Sequence, residues 1–179
     1  MRDKNWWMGF LVLCCAALLS ACSPNYNWRE VSVADGRVMA LFPAKPATEQ
    51  RSLAFEGKQL VFSMTQAHVD DDVFAVAYAP WGEAFLADAA LRERVARDVM
   101  VSLYRNFGLT PPETLPAMGE LFSIKGGPNH AMHLQAQVWV TSHGLIEGLV
   151  VTDKPDSTEH DVMFFDALSK QVGETLPRK

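Results

Sequence analysis

His130-Ala131-Met132-His133-Leu134-Gln135-Ala136-Gln137-Val138-Trp139-Val140-Thr141-Ser142 is the stretch whose reading decides the fold. Its even positions from Met132 to Val140 are all apolar, whereas the odd ones are Ala131, His133, Gln135, Gln137, Trp139 and Thr141. Successive side chains of a strand point to opposite faces, so this alternation predicts a half-buried antiparallel strand with one apolar and one polar face. His143-Gly144 and then the apolar run Leu145 to Thr152 complete a predicted hairpin.

Upstream, strands are predicted at Trp28 to Val33 and Arg37 to Phe42 around Ala34-Asp35-Gly36, because Asp-Gly supplies the positive φ values of a tight hairpin. Glu49 to Phe55 and Lys58 to Val69 flank Glu56-Gly57 as a second hairpin. Asp70-Asp71-Asp72 reads as a solvated turn before Val73 to Ala79, whose Ala75, Ala77 and Ala79 form a small-residue face suited to a helix. Glu113 to Ile124 holds one or two short strands broken at Gly119.

Two helices interrupt the strands. Leu91, Val95, Val99 and Leu103 recur every four residues within Glu83 to Phe107, with arginines interleaved with Glu93 and Asp98 on the opposite, solvated side. Gly108 suits the C-terminal cap, and Pro111-Pro112 prevent the helix from resuming. Asp156-Ser157-Thr158-Glu159 reads as a capping box for a helix to about Val172 with the stripe Val162, Phe165, Leu168 and Val172. Strands then a helix, twice over, predict a single α+β domain over residues 28–179. Its antiparallel sheet has about six to eight strands packed with two main helices.

The 179 residues carry 16 lysines and arginines against 21 aspartates and glutamates, a net charge of −5. That balance gives no attraction for phosphate backbones, so nucleic acid is not an expected partner. Motif searches return no Gly-x-Ser-x-Gly elbow, phosphate loop or dinucleotide fingerprint, so no catalytic residue and no cofactor is assigned. His130 and His133 lie three apart on a predicted strand and face opposite ways, so no metal site is assigned either. The candidate surface is the odd-numbered strand face: His133, Gln135 and Gln137, with Trp139 as a large flat contact bearing one N–H donor, the other reading being that a helix or loop covers Trp139.

The N-terminus states an address. Arg2 and Lys4 precede an apolar run from Trp6 to Leu19, then Ser20-Ala21-Cys22. A basic start, a short apolar region and small residues are the three parts of a secretory signal, and the run falls short of the roughly 20 residues a spanning helix needs. Leu19-Ser20-Ala21-Cys22 resembles the lipobox of bacterial lipoproteins. The resemblance implies that residues 1–21 are a cleaved signal peptide and that Cys22 becomes a diacylglyceryl, N-acylated (palmitate-bearing) N-terminus at the start of a tether over residues 22–27. Ser23, in place of an aspartate, implies the outer membrane, with the body in the periplasm. Cys14 and Cys15 fall in the removed segment, so no internal disulfide is expected.

The element order, with Val38-Met39-Ala40-Leu41-Phe42-Pro43-Ala44-Lys45-Pro46, resembles the PsbP-like fold. That resemblance implies an assembly or interaction protein. The expectation is therefore a monomeric, non-catalytic module anchored by lipid and engaging an envelope protein partner. The alternative is a small envelope-ligand binder or hydrolase that uses a cleft.

Overall fold

The computed structural model describes residues 25–127 and 131–175. The segment expected to be a signal peptide, the lipobox-like stretch with Cys22, and His130 lie outside the described residues. Among the described residues eight strands and three helices form one α+β domain. In chain order they are β1 (Arg29–Val33), β2 (Val38–Phe42), β3 (Ala47–Phe55), β4 (Lys58–Val69), β5 (Asp72–Pro80), α1 (Glu83–Leu86), α2 (Ala89–Asn106), β6 (Phe122–Gly126), β7 (Met132–Val140), β8 (Gly144–Thr152) and α3 (Glu159–Thr175). β3 to β8 make a fully antiparallel sheet in the order β3-β4-β5-β8-β7-β6, and β1 and β2 pair separately.

The hairpins form where local chemistry demands them. Asp35 and Gly36 have φ of 54° and 83°, and Arg37 N–H donates to the Ala34 carbonyl at 3.2 Å. Glu56 and Gly57, at φ 46° and 74°, make the equivalent two-residue turn between β3 and β4. Right-twisted strands require these left-handed turns, which glycine adopts without a Cβ clash.

Three layers result, with an apolar core on each face of the sheet. On one face Val95, Ala96 and Met100 of α2 meet Ile124, Leu134, Ala136, Val138 and Leu145. On the other, Phe164, Phe165, Leu168 and Val172 of α3 pack with the β1–β2 ribbon against Phe74, Val76, Ile146 and Val150. Gly148 lets α3 come close: a Cβ there would lie 2.6 Å from Leu168 Cδ2.

Several local expectations are corrected. The helix foreseen over Glu83 to Phe107 is two, because Asp88 is extended and its carboxylate accepts from Leu91 N–H at 2.9 Å, starting α2 afresh. The capping box of α3 is shifted: Thr158 and Asp161 satisfy each other's backbone N–H groups, at 2.9 Å and 3.3 Å. Val162 is consequently exposed, and Asp161 and Phe164 face inward. The expectation of one or two short strands from Glu113 to Ile124 is met by one, Phe122–Gly126. Asp72 is no solvated turn residue but opens β5, 1% exposed.

Candidate functional site

The strand face singled out in the sequence is not a surface. Trp139, Gln137 and Gln135 are 6%, 8% and 7% exposed, because α3 and the loop before β6 cover them. The polar side chains can be buried because each finds partners: Gln135 Nε2 donates to Asp161 Oδ2 at 2.8 Å, and Ser157 Oγ donates to Gln135 Oε1 at 3.3 Å. Gln137 Nε2 donates to the Gly119 carbonyl at 2.7 Å, and Gln137 Oε1 accepts from Ser169 Oγ at 2.9 Å. Trp139 packs in the core with Ile146 and Leu168. His133 is only half-buried, opposite Lys125 and Thr152. The alternation therefore describes a hydrogen-bonded seam between layers, and the interaction-surface assignment is withdrawn.

Two arginines of α2 also serve the fold. Arg92 Nη1 donates to the carbonyls of Phe85 and Leu86 at 2.9 and 2.8 Å, closing the end of α1. Arg94 grips Glu56 at the β3–β4 turn with two hydrogen bonds, of 3.0 and 3.2 Å.

Two buried carboxylates, neither marked by a motif, carry the remaining chemistry, and their environments are opposite. Asp72 is fully partnered: Thr152 Oγ1 donates at 2.6 Å, Tyr26 OH at 2.9 Å, and Lys154 Nζ completes an ion pair. Burial alone would push this carboxyl up, but the hydrogen bonds from Lys154, Thr152 and Tyr26 outweigh it and hold it below the ordinary value. Burial and the bond to Asp72 push the Tyr26 phenol up to about 12. Tyr26 also stacks on His160 of α3, ring centroids 3.7 Å apart, and Asn25 reaches Asp70 at 3.3 Å. Asn25 and Tyr26, which fall in the expected tether, thus lie docked on the domain.

Glu147 is the opposite case. It sits mid-strand in β8 between Ala77 of β5 and Val138 of β7, facing α2. It is 5% exposed, and its Oε1 has no hydrogen-bond partner. Burial pushes the carboxyl up to about 7. A carboxyl left unpaired in this way costs more than a lost hydrogen bond is ordinarily worth, so it calls for an explanation.

The space around it supplies one. Glu147 lines a cleft of about 380 Å³ between α2 and the sheet, walled by Phe62, Met64, Leu103 and Leu149, within the range of small-molecule sites. Ala77 leaves the floor open beside the carboxyl. Ser102 and Asn106 of α2 and Gln66 of β4 bring neutral polar groups. Glu49 and Arg51, both well exposed and 3.8 Å apart, stand on β3. A second, more apolar hollow between α2 and the β3–β4 hairpin shares Leu53, Phe62, Val99 and Ser102 with the first and extends it toward Phe55 and Val95. The result is a groove along α2, mostly apolar, with one orphan carboxyl in its floor.

Glu147 had a signal in the sequence. It is the only charged residue from Leu145 to Thr152, and period two places it with Leu145, Leu149 and Val151 on the apolar face. Fold and site together define an α+β domain of three layers with a ligand-sized cleft. No family model, curated protein or solved structure matches the chain.

Proposed function

We propose that the protein is a lipid-anchored lipoprotein of the bacterial envelope, held at the outer membrane through Cys22, whose periplasmic domain binds a small, largely apolar ligand without transforming it. The observation that carries this reading is the unpartnered Glu147 carboxyl in the floor of the α2 cleft. Gln135, Gln137 and Asp72 are satisfied, and of the two buried side-chain atoms without a partner among the described residues, Glu147 Oε1 and His160 Nδ1, it is Glu147 that lines the cleft. Among the described residues neither histidine nor cysteine lines the cleft, and binding asks for nothing beyond the carboxyl and the apolar walls. Binding is the simpler role.

Docking of Asn25 and Tyr26 bears on the anchor. Three peptide links separate Cys22 from Asn25, a reach of about 10 Å at most. In a lipidated protein the β4–β5 turn and the start of α3 would therefore lie close to the bilayer, with little freedom to swing.

Two experiments test the two halves. Saturable fluorescence enhancement of the neutral probe N-phenyl-1-naphthylamine should occur with the wild type and be lost in Ala77→Phe, whose ring would fill the cleft floor. An unchanged signal in a folded Ala77→Phe protein would refute the site. Metabolic labelling with an alkyne fatty acid should mark the wild type and spare Cys22→Ser; equal labelling would refute the anchor.

A further inference from the structure

We infer that the cleft takes a cationic amphiphile: an organic ammonium carried on an apolar chain, with the ammonium paired to Glu147 and the chain lying along α2. The inference rests on the cleft being a ligand site and adds the chemistry of its occupant.

Three observations carry it. First, the floor has an anionic group and no cation. From β3 come Glu49 and Arg51, which pair with each other at 3.8 Å in solvent. β4 brings Phe62, Met64 and Gln66, and α2 brings Val99, Ser102, Leu103 and Asn106, none of them titratable. On either side of Glu147 in the sheet stand Ala77 and Val138. Asp98 and the Arg94–Glu56 pair lie farther along the groove, and that pair is already satisfied. The counter-charge that the ionised carboxyl lacks at the floor is positive, and a ligand can bring it.

Second, the groove matches an amphiphile in shape and polarity. The second hollow runs away from Glu147 between Leu53, Leu60, Phe62 and Val95. A polar ligand would leave its groups unsatisfied against those walls, whereas an alkyl chain gains about 0.8 kcal/mol for each methylene it buries. Third, Ser102 and Asn106 line the same cleft, and their oxygens, including the Ser102 hydroxyl that donates to the Val99 carbonyl at 2.7 Å, keep lone pairs that can accept ammonium hydrogens. A carboxylate or phosphate head would instead face Glu147 as a like charge.

Proton linkage sharpens the test. Burial keeps Glu147 half-protonated near pH 7 in the free protein. An ammonium selects the ionised form, so its affinity rises with pH through that range, whereas a head group that needs a proton from Glu147 would bind better at low pH. Three ten-carbon probes separate the cases by calorimetric titration below their micellar concentrations: decylammonium, decanol and decanoate. At pH 8 decylammonium should bind at least tenfold more tightly than decanol. Its affinity should fall by up to about tenfold at pH 6, following the ionised fraction, while decanol should be nearly unaffected. Glu147→Gln should retain decanol binding and reduce the preference for the amine to less than threefold, which also removes any effect of the protein's overall negative charge.

If decanol or decanoate binds as tightly as the amine, the cationic assignment is overturned while the cleft stands. If none of the three binds saturably, the cleft reading falls with it. Should Glu147→Gln fail to fold, the pH dependence in the wild type decides: affinity for decylammonium that is flat or falls from pH 6 to pH 8 overturns the inference.

Discussion

Replacing Glu147 with glutamine should stabilise the domain, by an amount that grows with pH. The carboxyl titrates at about 7 in the folded chain against an ordinary 4.5. Between those values the folded state holds the proton more firmly than the unfolded state, so stability is greatest below about 4.5 and declines as pH rises toward 7 and beyond. A difference of roughly 2.5 pH units at 1.36 kcal/mol each corresponds to about 3 kcal/mol lost by pH 8. Glutamine keeps nearly the same shape and cannot ionise, so it escapes this loss. The stability advantage of Glu147→Gln should therefore widen by about 3 kcal/mol between pH 4.5 and pH 8. Urea unfolding of both proteins at several pH values measures it, with the m-value serving as a check that the unfolded states match. Titration of every other group cancels in the difference. Parallel stability profiles would show that Glu147 is solvated or paired, and the account of the cleft floor would be wrong.

Further outcomes follow from the packing. Tyr26→Phe removes a hydrogen bond to the Asp72 carboxylate and should cost about 1–2 kcal/mol by urea unfolding, and faster proteolysis at the N-terminal segment should accompany it; no change would mean that the segment is not docked in solution. Because Asp72 is held below its ordinary value of 3.8, its contribution is present above that pH and lost as pH falls through the lower folded value, so Asp72→Asn should flatten the acid limb of the stability profile. Gly148→Ala places a methyl 2.6 Å from Leu168 Cδ2 in a packed layer and should cost about 1–3 kcal/mol in thermal or urea unfolding. Met100→Ala, at a fully buried position of α2, should cost about 2–5 kcal/mol.

The strands and hairpins were readable because their determinants are local. Asp35-Gly36 and Glu56-Gly57 announce positive φ within two residues, and the alternation of β7 follows from the pleat alone. Gly108, at φ 76°, likewise ends α2 as its sequence context predicts. The division between α1 and α2 was obscured because apolar residues continue across it, although Asp88 three residues before Leu91 is the signature of a fresh helix start. Alternation shows that Gln135, Gln137 and Trp139 share a face; it does not show what lies over that face. Their cover comes from α3, a helix more than twenty residues later in the chain, joined to them by side-chain hydrogen bonds with no local trace. Asp72 hid in a run of three aspartates, and only Thr152 at the end of β8 and Lys154 just beyond it, with Tyr26 from the N-terminal segment, make it an anchor. For Glu147 the signal was present as one acid on the apolar side of an apolar strand. Whether such an acid is paired or orphaned depends on α2 and on the alanine at position 77, and therefore on tertiary structure.

The most direct test follows the Glu147 side-chain carboxyl by carbon-13 NMR across pH, in the free protein and with decylammonium present. A midpoint near 7 in the free protein, moving to lower pH as the ammonium binds, is the expected result. A midpoint near the ordinary 4.5 in the free protein, or one near 7 that saturating ammonium leaves unmoved, would contradict the claim that an unpaired buried acid in this cleft awaits a cationic ligand.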